Sequence, residues 1–405
     1  MKYLILGAGP AGLALGNRLK EKGIDSFLIL EKEKEPGGLC RTIDLDGAPF
    51  DIGGPHFLDT RSRQINEYLF RFMPEKEWKL FQRDSKIKLK DQMINSPIEA
   101  NIWQMDIDHQ LDYLESIALA GCNIGIPMPE KYVEWISWKL GEKIAGDYMI
   151  PYNSKLFADD LNTLGTYWMY KLPSVSFRET LRSCLEHKAY GKQPCVSKFY
   201  YPQKYGFGEL WKRMGEEIAE HIVYSTSVTA IDFDSLTVKT ESGETYSAEN
   251  IITTIPWNEF SEIDKMPENL KMELKKLRYG AIETRYAEED WNTTAQWIYC
   301  PEMKLPYHRL TIRKNIFSGA KGMIVETRKE RVHLFDENDN MGKSIYMNEY
   351  AYPINTVDKP QIMEKIQRFA ESKNVYTVGR WGEHKHHNSD VVVELAQNLI
   401  DKLLG

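Results

Sequence analysis

Residues 3–12 read Tyr3-Leu4-Ile5-Leu6-Gly7-Ala8-Gly9-Pro10-Ala11-Gly12, and their reading decides the fold of the 405-residue chain. The first four form a short apolar run of the kind a parallel strand needs when both faces are covered. From Ala11 to Lys22 the apolar residues Leu13, Leu15 and Leu19 recur at helical spacing, and Gly23 stops the run. Phe27-Leu28-Ile29-Leu30 is a second apolar run, ending at Glu31. Strand, helix and strand make one βαβ unit, whose right-handed crossover puts the helix on the face of a parallel sheet. Gly7, Gly9 and Gly12 complete G-x-G-x-x-G at the first turn. Gly7 permits the tight turn, Gly9 lets backbone approach a pyrophosphate, and Gly12 lets helix and sheet pack closely. Beyond Pro10 and Ala11 the helix N-terminus offers free N–H groups and a partial positive charge. Glu31 stands where an acid hydrogen-bonds an adenosine ribose, with Lys32 beside it. A dinucleotide site is expected here.

Composition bounds the rest. The chain is 42% hydrophobic and 27% charged, as expected of a globular protein of two or three domains rather than a disordered or fibrous one. With 52 basic against 59 acidic residues, a net of −7 gives no electrostatic case for nucleic acid or an anionic membrane as partner. No apolar run reaches the roughly 18 residues of a bilayer span. The motif beginning at Tyr3 leaves no room for a signal peptide. Cys40, Cys122, Cys184, Cys195 and Cys300 are scattered and never form C-x-x-C, which predicts a cytoplasmic protein without structural zinc.

Further along, Trp78 to Asn95 alternates with Lys86, Lys88 and Lys90 on one face, the pattern of an antiparallel strand with a solvated side. Ile102 to His187 turns helical and rich in Trp and Tyr. Phe207 to Glu220 reads as a helix. Strands follow at Val228–Phe233, Leu236–Thr240 and Ile251–Ile255, with Glu241-Ser242-Gly243 as a hairpin turn. Residues 279–352 are strand-rich. Val375–Val378 gives one more strand, and Val391 to Leu404 an amphipathic helix. Lys271, Lys275 and Lys276 read as a solvated helix face. The predicted fold class is α/β: a discontinuous Rossmann-type domain (1–77, 199–260 and 370–405), an α-helical insert (100–190), and an antiparallel β-sheet substrate domain (78–99 and 261–369).

Gly37-Gly38-Leu39-Cys40-Arg41 follows the ribose acid closely, and can bring backbone N–H groups and a cation to the same pyrophosphate. This G-G-x-x-R run resembles the FAD family that contains amine oxidases, protoporphyrinogen oxidase, phytoene desaturase and UDP-galactopyranose mutase. Phe50-Asp51-Ile52-Gly53-Gly54-Pro55-His56-Phe57 is similar to that family's next segment, which passes close to the flavin. Three further segments resemble UDP-galactopyranose mutase in particular. Trp297-Ile298-Tyr299-Cys300-Pro301 running to Pro306-Tyr307-His308-Arg309 is similar to its arginine segment. Tyr350-Ala351-Tyr352-Pro353 is similar to its tyrosine segment, and Gly379-Arg380-Trp381 to Asp390 to its C-terminal signature. Pro151-Tyr152-Asn153-Ser154-Lys155 is a weaker match.

The resemblance implies FAD, active when reduced by NAD(P)H or another electron donor. Cofactor contacts are expected from Gly7, Gly9, Pro10, Ala11, Gly12, Glu31, Lys32, Gly37, Gly38, Leu39, Arg41, Gly54, His56, Val228, Gly379, Arg380, Asp390 and Val391. It implies interconversion of pyranose and furanose forms of a nucleotide-bound hexose for cell-surface glycan biosynthesis, begun by flavin N5 attack on the anomeric carbon. Arg309 and His56 are the expected catalytic residues. Tyr152, Asn153, Trp168, Tyr350, Tyr352, His384 and His386 join Arg309 as expected substrate contacts. The sequence departs from the family where His384 and His386 replace tyrosines, where Ser389 replaces methionine, and where Pro55 is inserted. A second diphosphate cation is open among Lys171, Arg178 and Lys198. Alternation puts His384 and His386 on one side, read as flavin and substrate contacts rather than a metal site. Asn292-Thr293-Thr294 reads as a chance sequon. The base, the sugar and the oligomeric state, a homodimer included, stay open. An oxidoreductase of the amine oxidase type is the alternative, and a non-catalytic binding protein a third reading.

Overall fold

The computed structural model describes residues 1–157, 160–169, 175–191, 197–336 and 341–405. Lys171 and Cys195 lie outside the described residues. The βαβ unit forms where the apolar runs predict it: β1 is Tyr3–Leu6, α1 is Pro10–Glu21 and β2 is Phe27–Leu30. β1 is the middle of a five-stranded parallel sheet, flanked by β2 and Ile222–Val223 on one side and by Asn250–Thr253 and Val375–Thr377 on the other. All of β1 is buried, which is why its sequence is apolar throughout instead of alternating. α1 packs Leu13, Leu15 and Leu19 into one core with Val393, Ala396 and Ile400 of the C-terminal helix Ser389–Leu404. Gly12 makes the fit possible, since a Cβ there would lie 1.8 Å from the Gly7 carbonyl oxygen.

The alternating segment from Trp78 is not one strand. Trp78–Gln82 pairs with Lys198–Pro202, while Ser85–Leu89 and Gln92–Asn95 form the edge of a seven-stranded sheet. Arg83 and Asp84 interrupt the run between them. That sheet continues through Trp297–Tyr299, Arg309–Ile312, Met323–Arg328, Tyr279–Ala287 and Lys343–Pro353. Its pairs are antiparallel except Ser85–Leu89 with Trp297–Tyr299, which run parallel, so the sheet is mixed rather than purely antiparallel. The insert is helical as expected, with Ile107–Ala118, Tyr132–Ile144 and Ile150–Leu156 packing around Tyr132, Ile136 and Leu140. Ser176 and Glu179 cap the helix Phe177–Glu186 reciprocally. Among the described residues no helix is long and apolar enough to cross a membrane.

Asp51 ties the layers together. Its carboxylate, 2% exposed, accepts from Tyr201 Oη at 2.8 Å and from Thr42 Oγ1, and Thr42 Oγ1 accepts from the Gly208 amide at 2.8 Å. Burial pushes Asp51 up to about 6, against roughly 3.9 for an unfolded aspartate. The fold therefore takes up a proton between those values. Asp51 contributes stability fully below about pH 4, and that contribution is lost as pH rises through 6. Asp51→Asn is expected to remove roughly 2 kcal/mol of this pH dependence. Denaturant unfolding between pH 4 and 7 checks it, and an unaltered slope contradicts it.

Candidate active site

The C-terminal ends of β1 and β2 open onto a cleft of ≈ 300 Å³. One wall is the loop Gly7–Ala11, another Glu31–Glu33, a third Gly38–Arg41, and the strand residues Tyr346–Tyr350 roof it. Helix α1 has Gly9 at its N-cap with no side chain capping it, so its first amides are left for a ligand. Gly9 and Gly38 face each other closely: a Cβ on Gly38 would lie 3.3 Å from Gly9 Cα. Glu31 accepts from the Ala8 amide at 2.6 Å and the Glu33 amide at 2.9 Å, locking the loop to the end of β2. Arg41 donates to Gly38 O at 3.1 Å, Glu33 Oε2 at 3.0 Å and Tyr346 Oη at 2.6 Å. Bare helix amides, a backbone passage without side chains and an arginine fit the diphosphate of a dinucleotide.

Gly7, Gly9, Pro10, Ala11, Glu31, Lys32, Gly38, Leu39, Arg41, His56, Val228 and Arg380 all line this cleft. Gly12, Gly37, Gly54, Gly379, Asp390 and Val391 stand behind the wall. Gly37 donates its amide to Ala8 O at 2.9 Å, Asp390 takes the Ser62 hydroxyl, and Val392 rather than Val391 reaches the cleft. Thr226, Ser227, Thr254–Pro256, Glu259 and Tyr346 also line the cleft, and no sequence motif singles them out. They sit at strand ends, on the short 3-10 turn Trp257–Glu259, or on a strand distant in sequence.

His56 and Arg380 meet at the inner end. His56 Nδ1 lies 2.8 Å from Gly54 O. Burial, then the charge of Arg380, pushes His56 down to about 3, so its ring is neutral. Arg380 donates to His387 O at 3.0 Å and Ala351 O at 3.3 Å. These acceptors are backbone carbonyls, and burial pulls Arg380 below the usual arginine value. A half-buried cation held by neutral carbonyls favours an anionic ligand beside it.

Past His56 the cleft meets a polar and aromatic cluster. Arg309 and Glu326 are cross-strand partners, joined by Nε–Oε2 at 2.5 Å and Nη2–Oε1 at 2.6 Å. Gly54, at φ 76°, leaves room for them, since a Cβ there would lie 2.6 Å from Glu326 Oε1. Tyr152 stands edge-on to Tyr299 at 5.4 Å and to His308 at 6.1 Å. Tyr352 packs against His386 at 5.2 Å, and Arg309 acts on both Tyr152 and Tyr352. Arg309, Tyr152, Tyr352 and His386 are thus brought together.

The other expected substrate contacts are not. A register shift between Tyr279–Ala287 and Lys343–Pro353 turns Tyr350 away from Tyr352, into the cofactor cleft beside Lys32 and Trp381. His384 is fully buried at φ 51°, with Nε2 at 2.8 Å from Arg278 O. The turn there breaks the alternation expected to align it with His386. Asn153 spends its amide on Met149 O at 2.6 Å, one helical turn back. Trp168 stacks on Tyr132 at 5.5 Å within the helical insert. Arg178 and Lys198 are solvent-exposed.

An NAD(P)-binding Rossmann-like domain family matches residues 5–73. A Baeyer-Villiger monooxygenase of Pseudomonas aeruginosa is 33% identical over 88 residues, 22% of this chain and 15% of that protein, so the chain spans only a small part of this relative. Among solved structures, reduced UDP-galactopyranose mutase superposes with a TM-score of 0.90 at 23% identity, covering 100% of this chain and 94% of the mutase. The chain has the fold of UDP-galactopyranose mutase. Putrescine oxidase with bound putrescine gives a TM-score of 0.65 at 13% identity, covering 100% and 98% of the two chains. The expected Rossmann-type α/β fold with a helical insert and a β-sheet domain is the one found.

Two outcomes check this geometry. Arg380→Ala should move the His56 pKa upward from about 3, read by NMR titration of cofactor-free protein; an unmoved value contradicts the electrostatic link. Glu326→Ala should cost about 3 kcal/mol in denaturant unfolding, because it strands the Arg309 guanidinium without its counter-charge. A loss below about 1 kcal/mol would mean that the pair is solvent-screened.

Proposed function

We propose that the protein is an FAD-dependent mutase that interconverts the pyranose and furanose forms of a nucleoside-diphosphate hexose, in the cytoplasm. The observation that carries this reading is Arg309, fixed by Glu326 among Tyr152, Tyr299 and Tyr352, beside the Gly54–His56 loop that borders a dinucleotide cleft. An always-charged, pre-oriented guanidinium suits a diphosphate leaving group, whose charge grows as the anomeric bond breaks. The fold shared with UDP-galactopyranose mutase supports the same reading.

Reduced FAD, when bound, would supply the N5 nucleophile for the anomeric carbon. The chain's own residues then have limited tasks. The α1 amides, Glu31 and Arg41 hold the cofactor's adenosine and pyrophosphate. Arg380 sets a positive field at the inner end of the cleft, favouring a reduced, anionic ring. His56, held neutral, keeps a second cation from that spot. Arg309 takes the substrate diphosphate, and Tyr152 and Tyr352 offer hydroxyls beside it. An amine oxidase, by contrast, draws a cationic or neutral donor into an apolar cage, which a fixed arginine opposes.

The test is a turnover screen of flavin-loaded protein, dithionite-reduced and oxidised, against UDP-, dTDP- and GDP-hexoses with chromatographic separation. The reading expects isomer only from reduced protein. It fails if no nucleotide sugar binds in either state while an amine bleaches the flavin. Arg309→Ala should lower kcat/KM by about 100-fold with the flavin spectrum retained.

A further inference from the structure

Arg83 lies in the short link between Trp78–Gln82 and Ser85–Leu89, and its charge acts on Tyr299 together with that of Arg309. Its Nη2 donates to Tyr299 Oη at 2.7 Å and its Nε reaches Ser85 Oγ at 3.4 Å. The guanidinium lies 4.8 Å from the Trp297 ring centre and 6.0 Å from that of Phe57, the residue after His56. Two aromatic faces hold it in place, at half burial.

The charge of Arg83 is not balanced within the chain. Among the described residues no carboxylate pairs with it, whereas Arg41 has Glu33, Arg285 has Glu283 and Arg309 has Glu326. Its sequence neighbour Asp84 is engaged elsewhere, accepting from Thr294 Oγ1 at 2.6 Å. A half-buried guanidinium beside a phenol and two rings keeps donors for an incoming oxyanion. Tyr299 registers the local field: burial raises its phenol, but Arg83 and then Arg309 outweigh burial and bring it below its ordinary value. Tyr299 in turn stands edge-on to Tyr152, so Arg83 belongs to the same cluster as Arg309.

We propose that Arg83, with Tyr299, is a second anion-binding pole of the substrate site, taking a ligand oxyanion other than the one that faces Arg309. This rests on the nucleotide-sugar reading above. The oxyanion is either the other phosphate of the diphosphate or a carboxylate on the sugar, and the ligands tested separate these sources. Of the residues left open as a second diphosphate cation, Arg178 and Lys198 face solvent and Lys171 lies outside the described residues.

Full-length, flavin-loaded protein would be titrated calorimetrically with UMP, UDP, UDP-glucose and UDP-glucuronate, and with dTDP and GDP counterparts. Arg83→Ala should raise Kd at least tenfold for every ligand that carries the recognised oxyanion. If that oxyanion is the β-phosphate, UDP and both sugars weaken while UMP does not; if it is the α-phosphate, UMP weakens with them. If it is a carboxylate, only UDP-glucuronate weakens. Arg83→Lys should recover part of the loss, and an unchanged flavin spectrum reports intact folding. A second readout is the Tyr299 phenol: its titration, followed by ultraviolet difference absorbance, should move upward in Arg83→Ala. Wild-type binding with all variant Kd values within twofold overturns the Arg83 assignment alone. Absence of any nucleotide binding by wild type in both redox states overturns the nucleotide-sugar reading, and this inference with it.

Discussion

Arg309 and Glu326 face each other across adjacent antiparallel strands, and the backbone of Gly54 passes so close that a side chain there would strike the Glu326 carboxylate. This contact joins three parts of the chain. Gly54 belongs to the loop that ends at His56 in the cofactor cleft, Glu326 is 1% exposed within the seven-stranded sheet, and Arg309 turns toward the tyrosine cluster. An ion pair this buried is tolerated because its bidentate geometry and fixed surroundings offset the loss of water. It therefore acts as a locator. The cation that a phosphate would meet is held at a set distance from the place where a dinucleotide's reactive ring would lie.

Charge is arranged differently in the two halves of the site. At the adenosine end, Glu31, Glu33, Lys32, Arg41 and Glu259 alternate and largely neutralise one another. At the inner end the balance is positive, with Arg380 held by carbonyls, Arg83 held by a phenol and rings, and only Arg309 paired to an acid. Burial amplifies that excess, as the neutral His56 shows. That excess of positive charge supports the proposed nucleotide-sugar reading over an amine donor.

Much of the cofactor half was legible in the sequence because its chemistry is local. Six consecutive residues, Gly7 to Gly12, dictate a turn and a helix start, and Glu31 and Gly37–Arg41 lie within one βαβ unit. The substrate half was less legible because its partners meet only through strand pairing. Glu326 is a lone acid in an apolar strand, a sign of a buried pair, but its partner Arg309 follows only from register. Tyr350 and Tyr352 look equivalent by period-two alternation, yet the strand pairing shifts register there and of the two only Tyr350 lines the cofactor cleft. His384 and His386 are parted in a similar way, since the chain turns at His384 instead of extending, which buries His384 and leaves His386 against Tyr352. Arg83 sat inside a run read as one strand, and the break there is visible only once the two halves of that run join different sheets.

The proposed reaction cleaves an anomeric carbon–oxygen bond while the diphosphate stays in the site. The most direct test uses a nucleoside-diphosphate hexose carrying oxygen-18 in the bridge between the anomeric carbon and the phosphate. Reduced, flavin-loaded protein should scramble the label into the non-bridging phosphate oxygens, seen by phosphorus NMR, and oxidised protein should not. Retention of the label in the bridge while the sugar is bound to reduced protein would contradict the account.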